Sequence, residues 1–409
     1  MGRTVDVVIV GAGIAGLALS YELQKKKIST LLLDRRTAPD TVPRGITFQP
    51  NGLEALEKIG ILENIRPLGS ASKVLEVRGW NQEVLLEADY GLLDHPQNYI
   101  LTVNASEVES ILGNRAENSG AEIVWGGHFQ ETIWNNGLAE GVNYELPTGE
   151  VDEIKASVII GADGPQSRVR ESIGSKTKIR KYSDSFVVGL VGAASGLEGR
   201  ALQYQAPGKM LGLMPVGPET TYLFYCVGNR SFEEVKRAGL EQFKTEIIEA
   251  APEMAEAFGT MEAWTKIAYF TPSYIRVAPW VGNGIALLGD SAHTFHPHAG
   301  QGVNLSLQDA LALVDVIENA IKTGDSSVKT LATYQAGRKM FADVIGQHAH
   351  YTATYALSNN WLIRRLNRRA LRKMQKKPEL MKKALEITAG VFTKKPGRIE
   401  LARIGGILP

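Results

Sequence analysis

Short runs of β-branched and aliphatic residues, each followed by glycine, recur along the first three quarters of the chain. The run Val5–Val10 is apolar almost throughout, as in a strand that is buried on both faces of a parallel sheet. A helical pattern follows at Leu17–Leu23, and Thr30–Leu33 predicts the next strand. Val158–Ile160 and Ile285–Leu288 have the same character. This succession predicts an α/β domain built on a parallel sheet.

The stretch between residues 181 and 271 has a different pattern. Its strand-like runs are Phe186–Gly192, Ala201–Gln205, Met210–Val216 and Thr221–Gly228. They are short and are separated by turns that contain Gly and Pro, which is typical of antiparallel sheets. We therefore expect a mostly antiparallel sheet inserted into the α/β domain.

Near the C-terminus the pattern becomes helical and strongly basic. Residues 361–377 carry pairs of Lys or Arg four positions apart, which places one apolar stripe and one cationic face on a helix. Pro378 ends this helix, and a second amphipathic stretch runs from Glu379 to Phe392. Residues 361–396 hold twelve Lys and Arg and two Glu, a net charge of +10, whereas the overall charge is +1.

Two interpretations of this basic tail stay open. The helix packs on the protein body, or it makes peripheral contact with an anionic membrane through residues 361–396. Nucleic acid is disfavoured as a partner because aromatic residues do not interleave with the basic ones.

The composition is that of a soluble globular protein, with 44% apolar and 22% charged residues. Cys226 is the single cysteine, so an internal disulfide and a cysteine-based zinc site are excluded and a cytoplasmic location is expected. No window approaches the roughly 18 apolar residues of a spanning helix. Glycines interrupt the apolar stretch near the N-terminus, so we expect no signal peptide.

The first predicted strand leads into Gly11-Ala12-Gly13-Ile14-Ala15-Gly16, a GxGxxG pattern. Gly11 permits a tight turn, Gly13 lets a pyrophosphate approach the backbone, and Gly16 lets the helix pack closely on the strand. The helix N-terminus offers N–H groups to the phosphates. Asp34 ends the second strand, where it is placed to accept a hydrogen bond from a ribose 2′-hydroxyl. Ala15 and Arg35 complete the cofactor-binding candidates of this region.

Two later motifs follow the other predicted buried strands. Gly161-Ala162-Asp163-Gly164 precedes Ser167 and Arg170, and Gly289-Asp290-Ser291-Ala292-His293 continues through Pro297 and Gly300-Gln301-Gly302 to Asn304. With the first motif, they resemble the single-component (class A) FAD-dependent monooxygenases typified by para-hydroxybenzoate hydroxylase. The family patterns are GxGxxG, GADGxxSxxR and GDAAHxxxPxxGxGxNxxxxDA, and they appear here in that order, with Ser291 in place of a common Ala.

The resemblance implies a Rossmann-type FAD-binding domain with an inserted, mostly antiparallel substrate domain and C-terminal helices. The implied domains are 1–70, 97–180 and 272–345 for FAD, 71–96 and 181–271 for the substrate, and 346–409 for the helical tail.

The resemblance also implies roles for residues of the second and third motifs. Asp290 binds a ribityl hydroxyl, Asp163 helps to position the pyrophosphate side, and Arg44 lies over the flavin. Backbone N–H groups of the loop before the long helix meet the flavin pyrimidine edge and stabilise the negative charge of reduced flavin. The cofactor candidates of this loop are Gly289, Pro297, Gly300, Gln301, Gly302, Val303 and Asn304. Many relatives carry Arg near the start of the segment 102–112, where this chain has Asn104, a further cofactor candidate.

The implied reaction hydroxylates an aromatic or quinone-like small molecule through a flavin C4a-hydroperoxide, with molecular oxygen and with NADPH or NADH as transient reductant. The protein contributes a dry cavity, and the cofactor performs the difficult step. The inserted sheet is expected to cover the flavin, and its candidate substrate contacts, for which packing in the sheet is the alternative, are Tyr204, Met214, Tyr222 and Phe224. Arg44, His296 and Pro297 are the catalytic candidates; a structural role for the histidine stays open, and no metal site is expected.

Two other functions fit part of the pattern. A prenyl- or geranylgeranyl-type reductase shares the fold, but this chain has Ala292-His293 and Gly300-Gln301-Gly302 where such reductases have Gly after GDAA and a GGG turn. A non-catalytic flavin-binding protein is disfavoured because the flavin motifs are intact. No tryptophan lies in a WxWxIP segment, which disfavours a flavin halogenase. The tail weakly resembles the C-terminal helices of quinone-biosynthesis hydroxylases, which would suit a lipophilic substrate.

Overall fold

A computed structural model of the chain describes residues 3–39, 44–261, 263–264 and 267–405. Its central sheet consists of β1 (Arg3–Val10), β2 (Thr30–Asp34), β8 (Glu122–Trp125), β9 (His128–Asn135), β10 (Leu138–Glu145), β11 (Val151–Gly161), β19 (Val281–Gly282) and β20 (Ile285–Leu287). The strand order is β19–β20–β11–β1–β2–β8, and β20, β11, β1, β2 and β8 are parallel. β10 and β9 extend antiparallel from β11. The carboxyl ends of β1, β2, β11 and β20 therefore meet at one edge of the sheet.

Helices cover this sheet and bury it. The helices within the first 172 residues are α1 (Ile14–Lys25), α2 (Pro50–Ile59), α3 (Leu62–Ile65), α4 (Ala105–Asn118) and α5 (Arg168–Ser172). The long helices later in the chain are α9 (Gly302–Thr323) and α10 (Val328–Ala356). α1 packs between α4 and α9, and α10 packs on α9. Because both faces are covered, the strand residues Val7, Ile9, Leu31 and Ile159 are fully buried, as the apolar runs predicted.

The inserted sheet lies beside the central one. It consists of β5 (Val74–Gly79), β6 (Val84–Asp89), β13 (Ser185–Gly192), β14 (Arg200–Ala206), β15 (Lys209–Val216), β16 (Thr220–Gly228) and β17 (Ile267–Phe270), in the order β17–β13–β16–β15–β14–β5–β6. All neighbours are antiparallel except β14 and β5. The predicted antiparallel layer is confirmed, and its strands match the four apolar runs to within a residue at each end.

Short helices cover one face of this sheet. They are α6 (Phe232–Ala238), α7 (Leu240–Ala250) and α8 (Met254–Ala257). Cross-strand neighbours on the covered face include Leu211 and Tyr225, whereas Phe224 and Met210 belong to the opposite face. This opposite face is directed toward the FAD-binding motifs, because Tyr222 and Met214 on it contact the next sheet described.

Small sheets connect these layers. One has the order β3–β7–β4 and consists of β3 (Gly45–Phe48), β4 (Ser70–Ser72) and β7 (Ile100–Asn104). The other has the order β12–β18–β21 and consists of β12 (Lys176–Lys181), β18 (Ser273–Ala278) and β21 (His293–Thr294). The fold class inferred from the sequence is confirmed, and the domain boundaries stay predictions.

The tail forms the helices α11 (Trp361–Lys376), α12 (Pro378–Thr388) and α13 (Arg398–Ile404). The Asn360 side chain caps α11 by accepting hydrogen bonds from the next turn. α12 ends earlier than the amphipathic pattern predicted, because Gly390 (φ +69°) turns the chain away just beyond it. Among the residues that the structure describes, no helix is long and apolar enough to cross a membrane.

Candidate functional site

The GxGxxG turn joins β1 to α1 in the geometry that each glycine predicts. Gly11 has φ +113°, and a Cβ on it would overlap the Ala162 carbonyl group. A Cβ on Gly16 would overlap the Gly11 carbonyl oxygen, so this glycine sets the close approach of helix to strand. A Cβ on Gly13 would meet no protein atom within 4 Å. The turn therefore leaves open space beside Gly13 at the start of α1, and Ala15 lies partly buried in the first helical turn.

The Asp34 carboxylate lies at the mouth of this turn. One of its oxygens accepts a hydrogen bond from the Ala12 N–H at 2.8 Å, and the other accepts from the Arg36 N–H at 2.9 Å. The Arg36 guanidinium pairs with Asp34 and Glu109 and donates to the Ala12 carbonyl oxygen. Burial lowers the pKa of Arg36, but the two carboxylates outweigh it and raise the pKa.

Arg36, not Arg35, is thus the arginine built into this corner. Arg35 is exposed and makes no hydrogen bond or ion pair in the described part of the chain, so its role as a cofactor contact stays a prediction. The two arginines are adjacent in sequence. They differ in the direction of their side chains, which the turn after β2 determines.

The second motif follows β11 at the same sheet edge. Asp163 Oδ2 accepts hydrogen bonds from the N–H groups of Arg168 (2.8 Å) and Val169 (3.2 Å). Its Oδ1 is buried and has no hydrogen-bond partner within the described residues. Burial raises the pKa of this carboxyl group. Arg170 donates to the Ser291 carbonyl oxygen at 3.0 Å and thereby ties the second motif to the third.

The third motif begins with a single 3₁₀ turn, Gly289–Ser291, directly after β20. Asp290 in this turn is exposed, yet the surrounding protein displaces enough water to raise the pKa of its carboxyl group, with His293 acting in the opposite direction. The Ser291 hydroxyl donates to the Gly161 carbonyl oxygen and accepts from the Leu288 N–H at 3.0 Å. Ser291, the residue that departs from the family pattern, therefore links the ends of β11 and β20, the strands that precede the second and third motifs.

The loop after β21 leads to the N-terminus of α9. Pro297 starts a 3₁₀ turn that ends at Gly300, which has φ +58°. α9 has no side-chain cap, and a Cβ on Gly302 would meet no protein atom within 4 Å. The first N–H groups of this long helix therefore lie beside open space, with Val303 partly buried behind them.

The polar side chains of this loop make hydrogen bonds to other parts of the protein. Asn304 accepts a hydrogen bond from the Gln49 N–H at 3.0 Å and donates to the Thr47 and Gly300 carbonyl oxygens. Gln301 donates to the Thr388 carbonyl oxygen and so holds α12 against the loop. Any contribution of these residues to a cofactor comes from their backbone.

Arg44 begins the described chain after the gap at residues 40–43 and precedes β3; its neighbour Pro43 lies outside the described residues. Its N–H donates to the Asn104 side chain at 3.3 Å, and Asn104 also caps α4 through the Ser106 N–H. The charge of Arg44 lowers the pKa of Tyr222, although burial is the larger effect and raises it. Arg44 therefore lies between the FAD-binding motifs and the inserted sheet.

Met214, Tyr222 and Phe224 occur on one face of the inserted sheet. The Thr47 hydroxyl donates to Met214 Sδ at 3.2 Å, and the Tyr222 ring lies where a Cβ on Gly45 would be. Phe224 stacks on Phe186 with ring centroids 4.6 Å apart. These three candidates lie against the FAD-binding domain.

Tyr204 is on the other face, and its selection as a pocket residue is wrong. It is fully buried with Leu211 and Tyr225 under the short helices, and its hydroxyl interacts with Glu253 and Arg78. Strand alternation explains the error, since a shift of one position in register reverses the face on which a side chain lies.

His296 lies in the most enclosed part of the loop. Its exposed fraction is 1%, and its ring meets the edges of Tyr182 and Phe186 at centroid distances of 4.7 and 5.5 Å. Nδ1 accepts a hydrogen bond from the His298 N–H, while Nε2 has no partner among the described residues. Burial and then the nearby histidines lower the pKa of His296 to about 3. The ring is therefore neutral, with its proton on Nε2.

The other two histidines of the loop have separate environments. His293 pairs with Asp309 at 2.6 Å, and Asp309 pairs with Arg338 at 2.7 Å. Burial lowers the pKa of His298 to about 4, and its Nδ1 lies 2.9 Å from Met210 Sδ. Among the described residues, no group of three His, Cys, Asp or Glu side chains is arranged to hold a metal ion. His350, whose Nδ1 lies 2.9 Å from the Tyr182 hydroxyl, adds a contact that the sequence did not indicate.

The residues at the sheet edge fit FAD. The open space at Gly13 and Gly302 would admit phosphate and ring atoms, because a Cβ at either position would meet no protein atom within 4 Å. The unpartnered Asp163 Oδ1 and the exposed Asp290 supply acceptors for hydroxyl groups. The uncapped N-terminus of α9 supplies N–H donors and a positive dipole end.

Known proteins agree with this geometry. Residues 4–349 match the family model described as an FAD binding domain. The chain is 26% identical over 345 residues to 6-methylpretetramide 4-monooxygenase of Streptomyces rimosus, covering 83% of this chain and 81% of that protein. It is 30% identical over 226 residues to 3-demethoxyubiquinol 3-hydroxylase of Escherichia coli, covering 53% of this chain and 54% of that protein.

A solved structure shares the fold over nearly the whole chain. The p-nitrophenol 4-monooxygenase of Pseudomonas putida superimposes with a TM-score of 0.84 and 21% identity, covering 96% of this chain and 100% of that one. With the three FAD motifs converging at one sheet edge and the family model covering most of the sequence, this chain belongs to the FAD binding domain family and, within it, to the single-component FAD-dependent monooxygenases.

Proposed function

We propose that this monooxygenase uses NADPH or NADH and molecular oxygen to hydroxylate an aromatic small molecule that carries an oxygen on its ring. The proposal rests on the surroundings of His296. Its neutral ring holds an Nε2–H donor among aromatic side chains, and no described residue accepts a hydrogen bond from this donor. One oxygen atom of O₂ enters the ring as a hydroxyl group and the other leaves as water, while NAD(P)H is oxidised to NAD(P)⁺. Relatives named for a nitrophenol and for an ubiquinol support this substrate class.

Each part of the site has a role in this proposal. Bound FAD supplies the redox chemistry that activates oxygen. Gly13 and the first turn of α1 would hold the pyrophosphate, Asp34 would hold the ribose, and Asp290 would hold the ribityl chain. The N-terminus of α9 would stabilise negative charge on the flavin ring, and Arg44 would help to hold the flavin.

The apolar face of the inserted sheet keeps water from the reacting atoms. Met214, Tyr222 and Phe224 lie against the FAD-binding domain, and the buried Phe186 and Met210 lie beside them. A dry site of this kind favours transfer of oxygen to the substrate over loss to water. Pro297 shapes the loop by fixing the backbone directly after His296.

In this proposal, the Nε2–H group of His296 donates a hydrogen bond to the oxygen atom that is attached to the aromatic ring of the substrate. A donor in a buried site stabilises negative charge on that oxygen, and the charge makes the neighbouring ring carbons more electron-rich. The ring cannot also take the proton at Nε2, because that atom already bears one. His296 is therefore a substrate-binding donor and not a base.

Two substitutions test this role. His296→Asn keeps an acceptor for the His298 N–H and loses the donor at Nε2, whereas His296→Gln keeps a donor near Nε2. We expect kcat/KM to fall roughly 10- to 100-fold in the Asn variant, the usual effect of losing a hydrogen bond to a charged group, and to recover largely in the Gln variant. FAD content is expected to stay unchanged in both. Equal activity of the Asn variant and the parent enzyme would remove His296 from the substrate site.

The reaction itself is tested on the purified holoenzyme. NADH and NADPH oxidation in air is followed against a panel of phenols and quinone precursors, and the products are examined for oxygen derived from ¹⁸O₂. We expect one labelled oxygen atom per product. Flavin reduction without any oxygenated product would favour the reductase, and a colourless protein that FAD cannot reconstitute would refute flavin binding.

A further inference from the structure

α11 presents a cationic face away from the protein. The helix carries seven Arg and Lys residues and no acidic residue. Its apolar stripe, with Ala370, Leu371 and Met374 buried, packs on β6 of the inserted sheet. At 100° per residue, Arg365, Arg369 and other basic side chains point to the opposite side. The stripe is therefore occupied by the protein body, and the cationic face is what remains available.

Few carboxylates neutralise this face. Glu83 pairs with Arg368 (3.6 Å) and Arg372 (2.9 Å). In the described part of the chain, Arg365, Arg369 and Lys376 make no ion pair. Such a concentration of unneutralised charge on a rigid, packed helix is costly for folding alone, since like charges repel.

Large apolar side chains lie at the N-terminal end of the same face of α11. Trp361 is 67% exposed and Leu362 is 50% exposed, although both are large and hydrophobic. Trp361 lines one shallow open groove together with Arg364, Arg365, Arg368, Arg369 and Arg372. An exposed indole beside a row of guanidinium groups has the composition of an interfacial membrane helix.

The basic surface continues onto the neighbouring helix. Lys373 Nζ lies 3.5 Å from the Arg403 carbonyl oxygen of α13. Desolvation, and then the charges of Lys377, Arg369 and Arg403, lower the pKa of Lys373. These positive groups are therefore close enough to act as one patch.

We propose that this patch docks the enzyme on an anionic membrane surface, with the arginines of α11 on lipid phosphates and with Trp361 and Leu362 inserted between headgroups. Charge complementarity selects anionic lipid, and the exposed apolar pair at the helix start selects a bilayer over a purely polar polyanion such as nucleic acid. The inference goes beyond the proposed function and does not depend on it, because no residue of the patch belongs to the FAD or substrate site.

Sedimentation of the full-length holoenzyme with vesicles tests the proposal. Vesicles that contain phosphatidylcholine and the anionic lipid phosphatidylglycerol are compared with vesicles of phosphatidylcholine alone. We expect partitioning onto the anionic vesicles only, and we expect high salt to weaken it. The emission of Trp361, isolated by subtracting spectra of the W361F variant, is expected to shift to shorter wavelength on binding.

Charge reversal gives a sharper result with a matched control. The double variant Arg365→Glu, Arg369→Glu should lower the partition coefficient at least about 25-fold, since each basic residue near an anionic surface contributes roughly fivefold. The control Arg237→Glu, Lys329→Glu makes the same change in net charge at two exposed positions on α6 and α10. It should partition almost as the parent enzyme does.

The outcomes separate the possibilities. Equal losses of vesicle binding in both double variants would show that net charge alone explains the effect, and this result would refute the proposed patch. Failure to bind any vesicle, or retardation by DNA in preference to anionic vesicles, would overturn the membrane proposal and leave the hydroxylase proposal untouched. A loss confined to the α11 variant, with FAD content and soluble-substrate turnover retained, would support it.

Discussion

At the residue scale, the three glycines of the first motif have different reasons to be glycine, and Gly13 is the one that the cofactor requires. Gly11 and Gly16 are required by the protein, because a Cβ on either would overlap backbone atoms. Gly13 has no such neighbour within 4 Å, so the fold itself would accept a side chain there, and in the GxGxxG motif the reason for glycine is the close approach of the pyrophosphate. This distinction makes Gly13 the most informative single position of the FAD site.

We predict that Gly13→Ala lowers FAD affinity by at least about tenfold, the effect of roughly 1.4 kcal/mol, while the apoprotein keeps its fold. The methyl group would occupy space that the pyrophosphate needs. FAD titration by absorbance or fluorescence measures the affinity, and circular dichroism measures the fold. Gly113→Ala in α4, which also meets no atom within 4 Å, is the control and should bind FAD normally. Normal affinity in Gly13→Ala would place the pyrophosphate elsewhere.

His296 gives a second prediction, on acid stability. Its pKa is about 3 in the folded protein against an ordinary 6.5, so below pH 6.5 the unfolded chain takes up a proton that the folded chain refuses. Its contribution to stability is complete above about pH 6.5 and is lost as the pH falls toward 3, at roughly 1.4 kcal/mol per pH unit. His296→Asn should reduce the slope of unfolding free energy against pH by about this amount. An unchanged slope in urea titrations between pH 6.5 and 4 would contradict the burial of a neutral ring.

At the element scale, a buried chain of charges joins the third motif to the two longest helices. Asp309 of α9 is completely buried between His293 of β21 and Arg338 of α10. Burial raises the pKa of Asp309, but the neighbouring Arg338 and His293 outweigh it and lower the pKa. The loop that carries Asp290 is thus anchored from behind.

We predict that Arg338→Met lowers the free energy of unfolding by about 3–5 kcal/mol, because it leaves the Asp309 charge buried without its arginine. Lys322→Met removes a partner from an ion pair with Glu318 in which the lysine is 70% exposed. It should leave the free energy of unfolding almost unchanged, because exposed ion pairs contribute little. Equal losses in the two variants, measured by urea unfolding, would argue against the anchoring role.

At the scale of the whole molecule, the three motifs come from distant parts of the chain. Gly11–Gly16, Asp163 and Asp290 meet because β1, β11 and β20 are neighbours in the sheet. A ligand that contacts all three stabilises the arrangement by its binding free energy, provided that it does not bind the unfolded chain.

We therefore predict that FAD at 100 times its Kd raises the free energy of unfolding by about 2.7 kcal/mol. The transition temperature of the apoprotein should rise with FAD concentration, as followed by differential scanning fluorimetry. The Gly13→Ala variant should show little shift at the same concentrations. A transition that does not respond to FAD in the parent protein would mean that the motifs do not form one site.

Local motifs and strand patterns were predictable from the sequence because they depend on neighbouring residues. The tight turn at Gly11, the apolar run of β1 and the end of α11 before Pro378 each involve positions a few residues apart. The sequence was less informative where the deciding contact is distant. It did not indicate that Arg36 reaches Glu109, and the choice of Tyr204, whose hydroxyl lies at Glu253, was wrong.

By itself, the sequence determined the FAD motifs, the two kinds of sheet and the amphipathic character of the tail, because glycine conformations and hydrophobic periodicity are local properties. Only the tertiary structure decided which face of the inserted sheet meets the FAD-binding domain and which nitrogen of His296 bears the proton. It also decided that the apolar stripe of α11 packs on β6 and leaves Trp361 and the arginines exposed. Those outcomes depend on burial and on partners far away in the chain, which no local pattern specifies.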